Sequence, residues 1–312
     1  MTFSDDKPQK TKVISYALFG YGQKETESGF QFNSFLRGLM LCKRMNLLLY
    51  PDWAMLVNMD QVTYDAYKPL FDKIDIEIRI HEPAKLCKAM LWRLAPAWEK
   101  KTETHNKGEW RWTHLLCRDL DSPATYREVQ AVTHWMNKGT SLHAITDSDS
   151  HNIPLMGGMI AIRPQFFCER FGQSWNDMMS LVQGGALDFG QKGSDQTFLN
   201  HYVYPTFAQP GTDNITQHYF LGMPNTFLRD YNTCACKQVL GHVAGCPNDI
   251  ETGLPFEMRE SNETSGHIGA AGAYSTQLNR FFFKFRDRFE WLMEIEKQFP
   301  DIFYWTKDGH YD

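Results

Sequence analysis

Trp112 to Pro123 reads WTHLLCRDLDSP: an apolar run ends in two aspartates, Asp119 and Asp121, and Ser122 and Pro123 follow. In an extended chain the i and i+2 side chains share a face. Both carboxylates can therefore meet one site at the C-terminal end of a strand, where open α/β sheets place their ligands. Two hard oxygens there suit Mn²⁺ or Mg²⁺ carrying phosphates. Ser122 is expected to cap a helix with Pro123 at its first position, and the helix runs through Tyr126, Ala131, Val132 and Trp135. Taken alone, Asp-x-Asp also fits a polar loop near a helix start. The strand before it and the capped helix after it favour a ligand site.

Working outward, Lys12 to Gly20 (KVISYALFG) has the β-branched and aromatic content of a strand and closes on Gly20, Tyr21 and Gly22. Phe30 to Met45 places apolar residues at helical spacing, and Asn46 to Pro51 (NLLLYP) is expected to be a short buried strand. Thr63 to Ile74 reads as a helix, Asp75 to His81 (DIEIRIH) as an alternating strand, and Pro83 to Trp98 as a helix. Strand character returns at Leu142 to Thr146 and in the apolar run from Met159 to Ile162. Strands separated by helices predict an α/β layout with parallel strands. After residue 200 the alternation weakens. Gln209 to Tyr219 and Cys246 to Gly272 read as long loops, and Gln277 to Phe299 as a helix whose phenylalanine stripe packs into the core.

Composition bounds the partners. The 312 residues are 42% hydrophobic and 22% charged, which excludes a disordered, collagen-like or coiled-coil chain. With 9 Trp and 22 Phe the chain can bury a sizeable core without disulfides. The formal charge of −5 argues against a nucleic-acid partner. No apolar run approaches the ~18 residues of a transmembrane segment, and Met1 to Lys12 lacks the apolar core of a signal peptide. The seven scattered cysteines read as reduced thiols, so a cytoplasmic location is expected.

Two further polar clusters invite a functional reading. Asp147-Ser148-Asp149-Ser150-His151-Asn152 precedes Gly157-Gly158-Met159, and paired glycines permit close approach of backbone to a ligand. Lys192-Gly193-Ser194-Asp195-Gln196 looks like a turn capped by Ser194, with Asp195 and Gln196 in the first helical turn. Capping alone accounts for Asp195, because a helix N-terminus favours a carboxylate, but it explains Gln196 less well. Cys234-x-Cys236, His242 and Cys246 offer four possible zinc ligands, although the first pair is one residue too close for a usual zinc knuckle.

Taken in order, several motifs resemble a known family: the first strand with Ser15 and Phe19, Tyr50-Pro51-x-Trp53, Leu91-Trp92-Arg93, and Arg118-Asp119-Leu120-Asp121-Ser122. They continue with Arg127-Glu128-x-x-Ala131-Val132-x-x-Trp135, Leu142-His143-x-x-x-Asp147, His151-x-x-Pro154-x-x-Gly157-Gly158-Met159, and Asp195-Gln196-x-x-Leu199 with Tyr204-Pro205. Together these resemble the GT-A-type glycosyltransferases of bacterial polysaccharide loci, algae and large DNA viruses, over roughly residues 12 to 220.

The resemblance implies a GT-A-like Rossmann-type fold, a nucleoside diphosphate sugar as donor, a glycan or other hydroxyl acceptor, and a divalent metal (Mn²⁺ or Mg²⁺). On that pattern residues 1–11 form a flexible N-terminus and 12–312 a single domain, with 12–165 binding the donor and 166–312 forming a loop-rich acceptor region. Asp119 and Asp121 are implied metal ligands. Tyr16, Phe19, Arg93, Asp119, Gly157 and Gly158 are implied donor contacts, and Asp195, Gln196 and Asp147 are the implied catalytic groups.

His267, in a partial echo of a His-x-x-Gly-x-x-Lys-Pro motif, and His218 are rival third ligands. Inversion would use Asp195 as base, whereas a retaining, glycogenin-like reaction would place Gln196 beside the anomeric carbon. The relatives sharing the Arg-Asp-x-Asp-Ser pattern point to inversion. A different class, a non-catalytic zinc- or carbohydrate-binding protein, is the alternative.

Overall fold

The computed structural model describes residues 10–21, 32–102, 108–146, 153–172, 174–180, 187–208, 214–219, 237–239 and 286–303. Its centre is an eight-stranded sheet. In chain order the elements begin with β1 (Lys12–Leu18), α1 (Phe32–Leu49), β2 (Trp53–Asp60), α2 (Gln61–Phe71), β3 (Glu77–His81) and α3 (Leu86–Met90). A 3-10 helix (Leu91–Trp98), β4 (His114–Arg118), α4 (Tyr126–Lys138), β5 (Leu142–Thr146), β6 (Met159–Ile162), α5 (Pro164–Phe171) and α6 (Trp175–Ser180) follow. Next come α7 (Ser194–Phe198), a π-helical turn (Leu199–Val203), α8 (Tyr204–Phe207), β7 (Ile215–Tyr219), β8 (Lys237–Val239) and α9 (Arg286–Lys297).

The strand order is β3-β2-β1-β4-β6-β5-β7-β8. Strands β1 to β4 run parallel, and β6 lies antiparallel to both β4 and β5. The expectation of an all-parallel layout is therefore corrected at one strand. No helix lies in the described part of the β5–β6 connection, so the return strand pairs antiparallel, as a connection lacking a crossover helix allows. The order proceeds outward from β1 to β2 and β3 on one side and resumes at β4 on the other, which makes a topological switch point between β1 and β4.

Alternation along β1 divides the core into two layers. Ile14, Tyr16 and Leu18 face α1, α2, α4 and α9, in a cluster with Leu39, Leu70, Trp135 and Phe289. Val13 belongs to the opposite cluster, with Leu94, Phe167, Phe198 and Phe207 from the 3-10 helix, α5, α7 and α8. In α2 the Asp60 side chain accepts from the Thr63 amide at 2.7 Å, and in α4 Thr125 accepts from the Glu128 amide at 3.3 Å. These caps satisfy N-terminal amides that have no helical partner. The α4 cap is thus Thr125 and not Ser122, because Ser122 to Ala124 still belong to the turn leaving β4. Gly139, at φ 78°, ends α4 in the left-handed conformation that glycine adopts without strain.

Two expectations along the chain are also corrected. Asn46 to Leu49 forms the last turn of α1: Leu39, Met45 and Leu49 continue the helical stripe, while Leu47 faces outward with 37% exposure. A short apolar run is ambiguous between helix and strand. The strand after Pro51 is β2, WAMLVNMD, buried almost throughout. Ile215–Tyr219, expected to be loop, is β7.

Candidate functional site

A cavity of about 380 Å³ opens at the C-terminal ends of β1 and β4, at the switch point, with Ala17 to Phe19 on one wall and Asp119 to Asp121 on another. β6 runs antiparallel to β4, with Met159 paired to Arg118, so Gly157 and Gly158 arrive at the same end of the sheet. The 3-10 helix supplies Arg93, and α7 supplies Asp195 and Gln196. Five distant chain segments thus meet at one place.

Arg93 is the hub. It is 3% exposed, its Nε donates to the Met90 carbonyl at 2.8 Å, and its Nη1 is paired with the Asp119 carboxylate. A Cβ built on Gly157 would stand 2.7 Å from Arg93 Nη2, and one on Gly158 would fall against the Asp119 carboxylate. The glycines are therefore required for close approach here, not for backbone conformation. The Gly157 amide donates to Gln196 Oε1 at 3.1 Å, and Gln196 Nε2 donates to Asp195 Oδ2 at 3.3 Å. Gly193, at φ 87°, turns the chain into α7 and is itself the cap residue in place of Ser194.

Asn200 braces this arrangement. Its amide group donates to the Leu155 carbonyl at 2.9 Å and to the Gln196 carbonyl at 2.8 Å, and its Oδ1 accepts from the Leu155 amide at 2.9 Å. Thiols hold two further segments: Cys42 donates to the Leu120 carbonyl at 3.5 Å and Cys87 to the Gln191 carbonyl at 3.0 Å. Sequence reasoning missed Asn200 as a brace and Cys87 as a lining residue, and it quoted Lys192 in a polar cluster without giving it a role, although Cys87 and Lys192 both line the cavity. The Asp195-Gln196-x-x-Leu199-Asn200 pattern contained the only available signal, an asparagine one helical turn after Gln196.

The electrostatics are those of crowded carboxylates. Burial, with the nearby Asp119 charge second, raises Asp121 from 3.8 to about 6. Burial also raises Asp195, against the lowering influence of Arg93. Asp195 is 1% exposed. Against the three carboxylates stand Arg93, already paired with Asp119, and Lys192 at the rim.

The expected site residues separate into three groups. Phe19, Arg93, Asp119, Asp121, Gly157, Gly158, Asp195 and Gln196 come together. Phe19 is positioned by an edge contact with Trp92 at 6.1 Å, and Trp92 stacks on His81 at 5.0 Å. Tyr16 does not join them. Its ring is 1% exposed on the α1 side of the sheet and its hydroxyl is bonded to Asn46, because alternation along β1 turns it away from Ala17. His218 is likewise elsewhere: it lies on β7, where Nδ1 bonds His143 at 2.8 Å and Nε2 bonds His134 at 3.1 Å. Both of its ring nitrogens are engaged, so it is not placed to complete a metal site with Asp119 and Asp121. Asp147, Asp149, His267 and the Cys234, Cys236, His242 and Cys246 set lie outside the described residues.

Among the described residues no group of three or more His, Cys, Asp or Glu side chains is arranged to hold a metal ion. Two carboxylates facing one cavity still fit Mg²⁺ or Mn²⁺, which are commonly held by one or two carboxylates, water and substrate phosphates. Asp121, raised first by burial and then by the Asp119 charge, would gain from a neighbouring cation. Cys42, Cys87, Cys117 and Cys168 are buried free thiols. No helix among the described residues is long and apolar enough to cross a membrane.

A scan of protein-family models and a search of curated proteins both give no match. Among solved structures the chain is similar to a 4-diphosphocytidyl-2C-methyl-D-erythritol synthase from Anaerococcus prevotii, with 10% identity and a TM-score of 0.40, over 68% of this chain and 89% of that one.

Proposed function

We propose that the protein is a metal-dependent, inverting glycosyltransferase of GT-A type, moving a sugar from a nucleoside diphosphate sugar to a hydroxyl of a glycan. The observation that supports this best is the convergence of Arg93, the Asp119–Asp121 pair and Asp195–Gln196 around one cavity at the switch point, with Gly157–Gly158 packed against Arg93 and Asp119. Phe19, Phe35, Leu86 and Met90 give the cavity an apolar wall suited to a nucleobase. Asp119 and Asp121 would hold the divalent ion, which supplies charge neutralisation for the departing diphosphate. Arg93 and Lys192 add positive charge on the protein side. Residues 12–165 then form the donor part and 166–312 the acceptor part.

In the reaction the acceptor hydroxyl gives its proton to Asp195, its oxygen forms the new bond to the anomeric carbon, and the old bond to the phosphate oxygen breaks with its electron pair. A base is best matched when its pKa lies near the working pH, and burial moves Asp195 in that direction. Gln196 is tied at both ends, to the Gly157 amide and to Asp195, which favours a positioning role over a direct part at the anomeric carbon.

The test is a screen of nucleoside diphosphate sugars for nucleotide release with Mn²⁺, followed by Asp195→Asn and Gln196→Ala assayed for both transfer and donor binding. Loss of transfer with donor binding retained in Asp195→Asn supports the inverting base. If neither substitution lowers transfer by more than ~10-fold, below the usual contribution of a general base, the assignment is wrong.

A further inference from the structure

A second cavity, of about 230 Å³, lies at the opposite end of the sheet, where Lys10, Lys43, Trp53, Asp75, Glu77 and Arg111 line it. β1 and β2 begin there and α1 ends there. We propose that this cavity is a binding site for a small phosphate, inorganic or monoester, separate from the candidate active site.

The argument starts from Lys43, which is 5% exposed. A buried ammonium is costly unless paired and hydrogen-bonded. Its Nζ donates to the Asp75 main-chain carbonyl, while the Asp75 carboxylate lies 3.6 Å away with 91% of its side chain in solvent. A carboxylate so well hydrated compensates a buried charge poorly.

Lys10 brings a second ammonium, held by neutral acceptors at Pro51 O (2.9 Å) and Trp53 O (3.0 Å). Arg111 adds a third cation. Its Nη2 reaches Glu77 at 2.5 Å and its Nη1 reaches Glu99 at 3.5 Å, but its Nε is buried without a hydrogen-bond partner among the described residues. The cavity lining thus sets three cations against Asp75 and Glu77, with Glu99 behind Arg111.

The negative end of α1 accounts for cations near Leu49 in general. It does not account for a lysine buried six residues earlier, nor for an orphaned guanidinium N–H. A tetrahedral anion accepting several N–H groups at once answers both. Burial pushes the Lys43 pKa down, Asp75 opposes it, and the Lys10 charge adds to the lowering, so the net direction is down despite Asp75. The volume of about 230 Å³ admits a phosphate or a small monoester.

The experiment is thermal unfolding of the full chain with inorganic phosphate titrated against sodium chloride of equal ionic strength. Wild type is expected to gain roughly 2–3 °C at about ten times the dissociation constant. Lys43→Met, which fills the same space without a charge, is expected to stay folded and lose the response. Lys10→Ala, at an exposed position, is expected to weaken phosphate affinity by about threefold or more and guards against misfolding of the first variant. Lys192→Ala, at the other cavity, is expected to respond as wild type does. The proposal is overturned if phosphate and chloride act alike on wild type, if Lys43→Met and Lys10→Ala both respond unchanged, or if Lys192→Ala alone removes the response.

Discussion

Asp119 and Gly158 are packed so closely that a single added methyl could not coexist with the observed carboxylate: a Cβ on Gly158 would lie 2.5 Å from Asp119 Cγ. The obstacle is the end of a flexible side chain, so the chain can yield by moving Asp119. Gly158→Ala is therefore expected to cost little stability, about 1 kcal/mol or less, while displacing Asp119 from Arg93. Calorimetry should show nucleoside diphosphate affinity in the presence of Mn²⁺ reduced by about tenfold or more, with an unfolding midpoint close to wild type. Wild-type affinity in the variant would remove Asp119 from the binding site.

The Asp119–Asp121 pair leads to a prediction about metal linkage. Nucleoside diphosphate binding is expected to be stronger with Mn²⁺ or Mg²⁺ than with EDTA, and Asp121→Ala should erase the difference. Titrations that agree with and without metal in wild type would count against a metal at this pair.

The raised Asp121 predicts a pH dependence with a definite sign. Its folded pKa, about 6, lies above the ordinary 3.8. Its contribution to the stability of the metal-free protein is therefore present at low pH and lost as pH rises through about 6. A metal ion competes with the same proton, so Mn²⁺ affinity should climb between pH 5 and 6 and level off above about 7. Mn²⁺ titrations across that range, repeated on Asp121→Asn, check the assignment: the variant should show a flat profile.

A histidine chain runs from exposed His134 through His218 to buried His143 and gives the opposite sign. Burial lowers His218 to about 3 and His143 well below the usual range, with Lys138 and Arg118 adding repulsion from α4 and β4. Unfolded histidines protonate near 6.5. Stability is thus present above about 6.5 and lost as pH falls toward 3, at about 2 kcal/mol per buried histidine between pH 7.5 and 5. Urea denaturation at the two pH values should show the loss, and His218→Asn should reduce it.

Behind the Asp119–Asp121 turn, Arg118 and Glu128 form a buried pair at 2.8 Å, and Tyr50 donates to the same Glu128 oxygen at 3.1 Å. Glu128→Leu leaves a buried cation unpaired and is expected to cost about 3–5 kcal/mol. The double variant Arg118→Met with Glu128→Leu should recover most of that loss. A double variant as unstable as the single one would mean that packing, not charge, holds the turn.

Much of this architecture is legible in the sequence, and the exceptions have physical causes. β1, β4, β5 and β6 show as apolar runs bounded by turn residues, and the polar segments that meet at the cavity stand just beyond strand ends or at a helix start. Tyr16 misleads because it neighbours residues that line the cavity, yet a strand sends adjacent side chains to opposite faces. β7 hides because its buried interior includes the polar Thr216, Gln217 and His218, which carry no hydrophobic signature and are hydrogen-bonded to Thr140, Tyr204 and His143. The NLLLYP run fails because three leucines in a row fit either period, and only the burial of Leu49 beside the exposed Leu47 separates the two.

The docking of α9 sets an order on how the chain can reach its native state. Phe289, Leu292 and Ile295 complete the core beside α1, and Glu296 pairs with Arg44 across a sequence separation of 252 residues. During synthesis, α1, α2 and α4 can cover most of that layer, but the part that α9 packs on must wait until the distant helix arrives. Contacts of such long span slow folding and prolong exposure of apolar surface. A ribosome stalled before residue 286 would therefore hold all eight strands of the sheet with the α9 side of the first layer still open.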